Sequence, residues 1–218
     1  MRCSRVPDTL FCVLVIAHST SIFGWNLNRF KQLPRDCVKT CVSTSDNNVL
    51  VLDHLNINHE RGRHDLLRAF YFDVLGCAID PRKQENLEKG RKTLWANCGI
   101  HQFHFSEGSE AQIFDGLVTL AYDSLEAVRK RLADHSLTSV LQGSAFTYAT
   151  ECEEAGGGEA LRVTDPWGTQ FRLVVRPSAR DGRGSQQGPT SEPIAVPDLT
   201  VHVPPGASLP GIERFYTR

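Results

Sequence analysis

Three short stretches of this sequence alternate polar, chemically able side chains with apolar ones. In His54-Leu55-Asn56-Ile57-Asn58 the polar members are His54, Asn56 and Asn58. In Gln102-Phe103-His104-Phe105 they are Gln102 and His104, and in Gln170-Phe171-Arg172-Leu173 they are Gln170 and Arg172. Residues two apart on an extended strand share a face, so each stretch turns its polar groups to one side and its apolar groups to the other. Imidazoles exchange protons near neutral pH and ligate divalent metals. A guanidinium grips a carboxylate or phosphate through two parallel hydrogen bonds. Kept dry, such a face costs about 1–3 kcal/mol per unsatisfied group, so the pattern predicts a face that is solvated or filled by a ligand. For Arg172 a second outcome stands beside anion binding: pairing with an acidic neighbour such as Glu151 or Asp165.

The elements that must position these groups follow from periodicity. Residues 49–58 are β-prone. Within 65–75, Leu66, Leu67, Phe70, Tyr71 and Val74 recur at helical spacing, and Gly76 follows where a helix ends in a left-handed residue. Residues 77–80, 93–98 and 101–105 read as strands, which makes the first half β-α-β-β-β. The order then recurs. A strand at 117–122 precedes a helix capped by Asp123 or Ser124, with Leu125, Val128 and Leu132 on one face. Strands near Val140 and at 146–150, 160–164 and 170–175 follow. Asp165-Pro166-Trp167-Gly168 has the residues of a type I turn and predicts a hairpin between the last two. The expected class is α+β, built from two tandem βαβββ modules.

Composition bounds the partners. The 218 residues carry 24 Lys plus Arg against 25 Asp plus Glu, with no basic stripe for nucleic acid and no acidic tail. Seven scattered cysteines form no paired C-x-x-C zinc motif and read as structural thiols of a reducing compartment. Arg2 and Arg5 before the apolar run 10–17 resemble a signal peptide, and 26–39 is basic and poor in acids, as transit peptides are. The run is too short to span a bilayer. A disordered extension or a misplaced start is the alternative for residues 1–48. The domain is then 49–176, and 177–197, rich in Gly, Ser, Gln and Pro, reads as a flexible linker. In 198–218, Asp198 and Phe215-Tyr216 echo Asp53 and Phe70-Tyr71, so the tail reads as the start of a second, truncated copy.

Three motifs in this order, 52–57, Phe70-Tyr71-Phe72-Asp73-Val74-Leu75-Gly76 and Asp165-Pro166-Trp167-Gly168-Thr169-Gln170-Phe171-Arg172-Leu173, resemble the vicinal oxygen chelate superfamily. Its members include glyoxalase I, extradiol dioxygenases and bleomycin-resistance proteins. The resemblance covers about 125 residues, and it implies one cup-shaped mixed sheet with helices on its convex face. It also implies a small-molecule ligand in the cleft and, as in many members, a homodimer; neither nucleic acid nor membrane is an expected partner. Metal-dependent members hold a divalent ion with ligands from four strands. Carried onto this chain, those positions are His54, then Gln102 or His104, then Leu117 and Arg172. Leu117 has no lone pair, and Arg172 puts a fixed positive charge where the cation would sit. Only His54 and His104 remain as candidate metal ligands. The expectation is a cleft that binds a small polar or anionic molecule without the usual metal. The alternatives are a metal-dependent lyase, isomerase or dioxygenase with an atypical ligand set, and a structural domain.

Overall fold

The computed structural model describes residues 12–15, 53–152, 159–177 and 190–217. The leader-like segment 1–48 lies outside them apart from Cys12–Val15, as do residues 178–189 of the expected linker.

In chain order the strands are β1 (Cys12–Val15), β2 (His54–Asn56), β3 (His59–Glu60), β4 (Ala78–Ile79), β5 (Leu94–Cys98) and β6 (His101–Phe105). Next come β7 (Glu107–Gly108), β8 (Gly116–Tyr122), β9 (Thr147–Cys152), β10 (Glu159–Thr164), β11 (Gln170–Val175) and β12 (Pro193–Val203). The helices are α1 (His64–Leu67), which continues as a π-helix over Arg68–Val74, then α2 (Gln84–Glu88), α3 (Glu126–Ala133), α4 (His135–Thr138) and α5 (Leu209–Thr217).

The two halves repeat one winding. The first forms a sheet in the order β2-β6-β5-β4, and the second follows β8-β11-β10-β9 within a larger sheet. In each, the first strand lies parallel to the last, β2 to β6 and β8 to β11. Parallel neighbours need a crossover, which the α1/π-helical segment and the α3–α4 segment supply. The chain is therefore α+β with two like modules. Each module keeps its own hydrogen-bonded sheet, and the two meet through side chains.

That meeting is aromatic. Phe70 and Tyr71 of the π-helix, Phe103 and Phe105 of β6 and Phe171 of β11 are all buried. Their rings touch across the halves, with centroids 5.9 Å apart for Tyr71–Phe171, 5.7 Å for Phe70–Phe171 and 6.0 Å for Phe103–Phe171. Each such pair adds about 0.5–1.5 kcal/mol beyond the area it buries. The i→i−5 bond from Leu75 N–H to the Phe70 carbonyl (2.9 Å) widens the turn, and Phe70, Tyr71, Val74 and Leu75 all face the core. Gly76 ends the helix at φ +75°, as its position predicts.

The hairpin turn between β10 and β11 is held by Asp165. Its Oδ1 accepts from the N–H groups of Trp167, Gly168 and Thr169 at 2.9, 2.7 and 2.8 Å, while Oδ2 accepts from the Tyr71 hydroxyl at 2.9 Å. Burial pushes the carboxyl pKa up, and these four bonds oppose it. Near Val140 the expected strand is instead a 3-10 turn, Ser139–Leu141. It continues α4, whose first turn is capped by the Asp134 side chain on Ser136 N–H, so the local chain is already helical.

Beyond the second half, β12 runs antiparallel along the edge of β8, with β1 on its outer side. The tail expected to begin a second copy thus supplies Asp198–Val203 to this sheet, and residues 193–197 of the expected linker precede them in the same strand. The approach is close. A Cβ on Gly116 would lie 2.0 Å from the Thr200 carbonyl oxygen, and one on Gly99 1.8 Å from that of Ile194. Side chains secure it: Arg131 makes two bonds to Glu192 (2.8 and 2.7 Å), and Arg176 pairs with Asp198 (2.6 Å). Among the described residues no helix is long and apolar enough to cross a membrane.

Candidate functional site

Strand alternation sorts the side chains as their spacing requires. Ile57, Phe103, Phe105, Phe171 and Leu173 are buried in the core, while His54, Gln102, His104 and Arg172 are only half-buried on the opposite faces. Asn56 and Asn58 are exposed.

On the first sheet, β6 lies between β2 and β5, so His54 neighbours Gln102, and His104 neighbours both Asn56 and Trp95. The rings of His54 and His104 stack with centroids 4.1 Å apart, and His104 stacks on Trp95 at 4.4 Å. The Arg82 guanidinium carbon and the Lys83 ammonium stand over the Trp95 ring at 4.5 and 4.2 Å. Gln102 anchors the column from beside it. Its amide donates to Asp80 Oδ2 (2.8 Å) and Asn97 Oδ1 (2.6 Å), and its carbonyl oxygen meets His104 Nε2 at 3.1 Å. Asp80 is buried and bonded twice by the Arg82 side chain, which foremost holds its pKa down to about 2. Burial, and then the nearby His54, lowers the pKa of His104, favouring a neutral ring. Asn58 belongs to a neighbouring loop, its backbone carbonyl accepting from Gln112 N–H at 2.8 Å.

The second sheet carries a different network. Register places Arg172 between Arg162 and Thr119, and Gln170 between Thr164 and Leu117. Glu151 of β9 takes Nε of Arg162 at 2.9 Å and lies 3.6 Å from Nε of Arg172. Gln170 is exposed. The structure thus joins His54, Gln102 and His104 in one cluster, and it pairs Arg172 with Glu151, one of the two acidic neighbours expected.

These residues do not fit the divalent ion that the family resemblance implies. A metal takes an imidazole lone pair in the ring plane, and rings stacked with only 15° between their planes send their lone pairs side by side. One nitrogen of each is also engaged, His54 Nδ1 by Asp53 at 2.8 Å and His104 Nε2 by Gln102. Leu117 has nothing to donate, and Arg172 brings a cation.

Sequence reasoning missed Trp95, Asp80 and Arg82, whose roles depend on the β4–β5–β6 register. It also missed His59, His64 and Glu107, whose ligand atoms all lie within 4.8 Å of one another. The signal available was two histidines five apart at a strand-to-helix boundary.

No protein-family model matches the chain, and no curated protein matches it. Among solved structures it is similar to the glyoxalase family protein from Enterococcus faecalis, at 17% identity and TM-score 0.38, over 57% of this chain and 96% of that one. It is similar to lactoylglutathione lyase from Agrobacterium tumefaciens at 13% identity and TM-score 0.35, over 56% and 91%. It is also similar to a bleomycin-binding protein complexed with bleomycin, at 22% identity and TM-score 0.36, over 56% and 96%.

Proposed function

We propose that this protein binds a small polar or anionic molecule on the open faces of its two sheets, without a metal at the positions of His54, Gln102, His104, Leu117 and Arg172. The observation that carries this reading is the ring column His54–His104–Trp95, half-buried and held in place by Gln102. Stacked rings held by hydrogen bonds lose little freedom when a ligand arrives, so they form a prepared surface for a planar group. Lys83 and Arg82 at one end of the column, and Arg162 and Arg172 on the other sheet, supply cations for a carboxylate or phosphate.

A panel of small carboxylates, phosphates and heteroaromatic acids, screened by thermal shift on the full chain, tests this. At least one compound raises the melting temperature in a saturable way, with or without a chelator present, and His104→Ala or Arg172→Ala removes the effect. The reading fails if no compound stabilises the fold, or if every stabilising effect survives both substitutions.

A further inference from the structure

Three elements converge beside the first sheet. His59 on β3 and Glu107 on β7 are direct partners in a short parallel bridge, and His64 opens α1. His59 and His64 are buried, at 1% and 5% exposure, and their rings meet edge to face at 4.6 Å. Neither nitrogen of the His59 ring has a hydrogen-bond partner, and the nearby Ser106 carbonyl accepts from the His59 backbone N–H at 2.9 Å. Nδ1 of His64 is unpartnered as well, 3.9 Å from Glu107 Oε1. Buried polar atoms rarely stay unpaired, and three of them at one point call for an occupant.

The tautomer of His64 suits a ligand role. Its Nε2 lies 2.8 Å from the Lys92 carbonyl oxygen, which can only accept, so Nε2 carries the proton and Nδ1 the free lone pair. A backbone carbonyl bonded to the far ring nitrogen is the arrangement that orients metal-binding histidines. Lys92 holds that carbonyl from a left-handed conformation, φ +64°, the only non-glycine residue to do so among the described residues.

We propose that His59, His64 and Glu107 bind one divalent transition-metal ion of the zinc class, with a fourth position open to water. Two imidazoles and one carboxylate form a donor set suited to such an ion. A tetrahedral ion with bonds of about 2.0–2.2 Å holds its ligand atoms about 3.4 Å apart, so side chains now within 4.8 Å close on it by small rotations. The indole N–H of Trp167, also buried and unpartnered, belongs to a ring 6.4 Å from that of His59. This site uses none of the residues of the proposed ligand surface and stands independently of it.

The full chain, stripped with a chelator, is titrated with Zn2+ by calorimetry and with Co2+ by absorption spectroscopy. One equivalent of Zn2+ binds, and His59→Ala and His64→Ala weaken it by at least about tenfold. His54→Ala and His104→Ala leave it unchanged. Both buried histidines touch the core, so Glu107→Gln decides where they disturb folding: it keeps the shape of a half-buried side chain and weakens Zn2+ comparably. Zn2+ also raises the melting temperature of the parent by more than that of Glu107→Gln. The site is refuted if the folded parent shows no saturable Zn2+ binding, if His54→Ala or His104→Ala abolishes it, or if Glu107→Gln binds as tightly as the parent.

Discussion

The Tyr71 hydroxyl donates to the buried Asp165 carboxylate at 2.9 Å, across 94 residues of chain, and so ties the helix of the first half to the β10–β11 turn of the second. Both groups are almost wholly out of solvent, at 0% and 1% exposure. The bond links the two longest motifs of the family resemblance, and it explains why a tyrosine and an aspartate occupy those places.

Removing the hydroxyl leaves Oδ2 of Asp165 buried without a partner, a loss of about 1–3 kcal/mol. Tyr71→Phe is therefore expected to lower unfolding stability by that amount in urea denaturation. Asp165→Ala is expected to cost more, since three turn amides lose their acceptor as well. A double-mutant cycle should show strong coupling between the two positions; additive effects would mean that the bond contributes little.

Docking of β12 depends on residues without side chains. At Gly116 a Cβ would meet the Thr200 carbonyl oxygen at 2.0 Å, where only backbone movement could make room. Gly116→Ala is expected to speed amide exchange across Pro193–Val203 while the core strands β10 and β11 stay protected. Unchanged exchange in β12 would show that the strand is not seated on β8 in solution.

Asp80 sets an acid limit on the stability of the first sheet. Its folded pKa, about 2, lies below the value of about 3.9 for a free carboxyl. The stabilisation is therefore fully present above about pH 4 and is lost as pH falls toward 2. In Asp80→Asn, stability should be lower at neutral pH and should fall less steeply over that window. An unaltered acid limb, followed by circular dichroism, would assign acid sensitivity to other carboxylates.

Glu151 holds Arg162 and, more loosely, Arg172. Replacing it by Gln keeps the size and removes the competing negative charge. Glu151→Gln is expected to tighten binding of inorganic phosphate by several-fold in calorimetry, with the gain lost on adding Arg172→Ala. No gain would place the ligand surface on the first sheet alone.

Local pattern carried much of the fold. Alternation of period two in 101–105 and 170–175 assigned Phe103, Phe105, Phe171 and Leu173 to the core because strand geometry alone sorts faces. Helical spacing before Gly76 located the crossover helix, though its π-helical winding depends on the core it packs against. The same alternation put His54, Gln102, His104 and Arg172 on open faces. It could not say which of them would touch.

Contact between residues far apart in sequence was decided by register and by strand edges. The stack of His54 on His104 and Trp95 exists because β6 lies between β2 and β5. Arg172 meets Glu151 because β10 carries Arg162 between their strands. The tail became β12 because β8 offered an open edge lined by a glycine. His59, His64 and Glu107 meet through a two-residue bridge with no periodic signature at all. Residue type and spacing therefore determined which side chains face outward, since that is a property of one strand. Their partners were a matter for the tertiary structure, since hydrogen-bond register between strands is set by the packing of the whole chain.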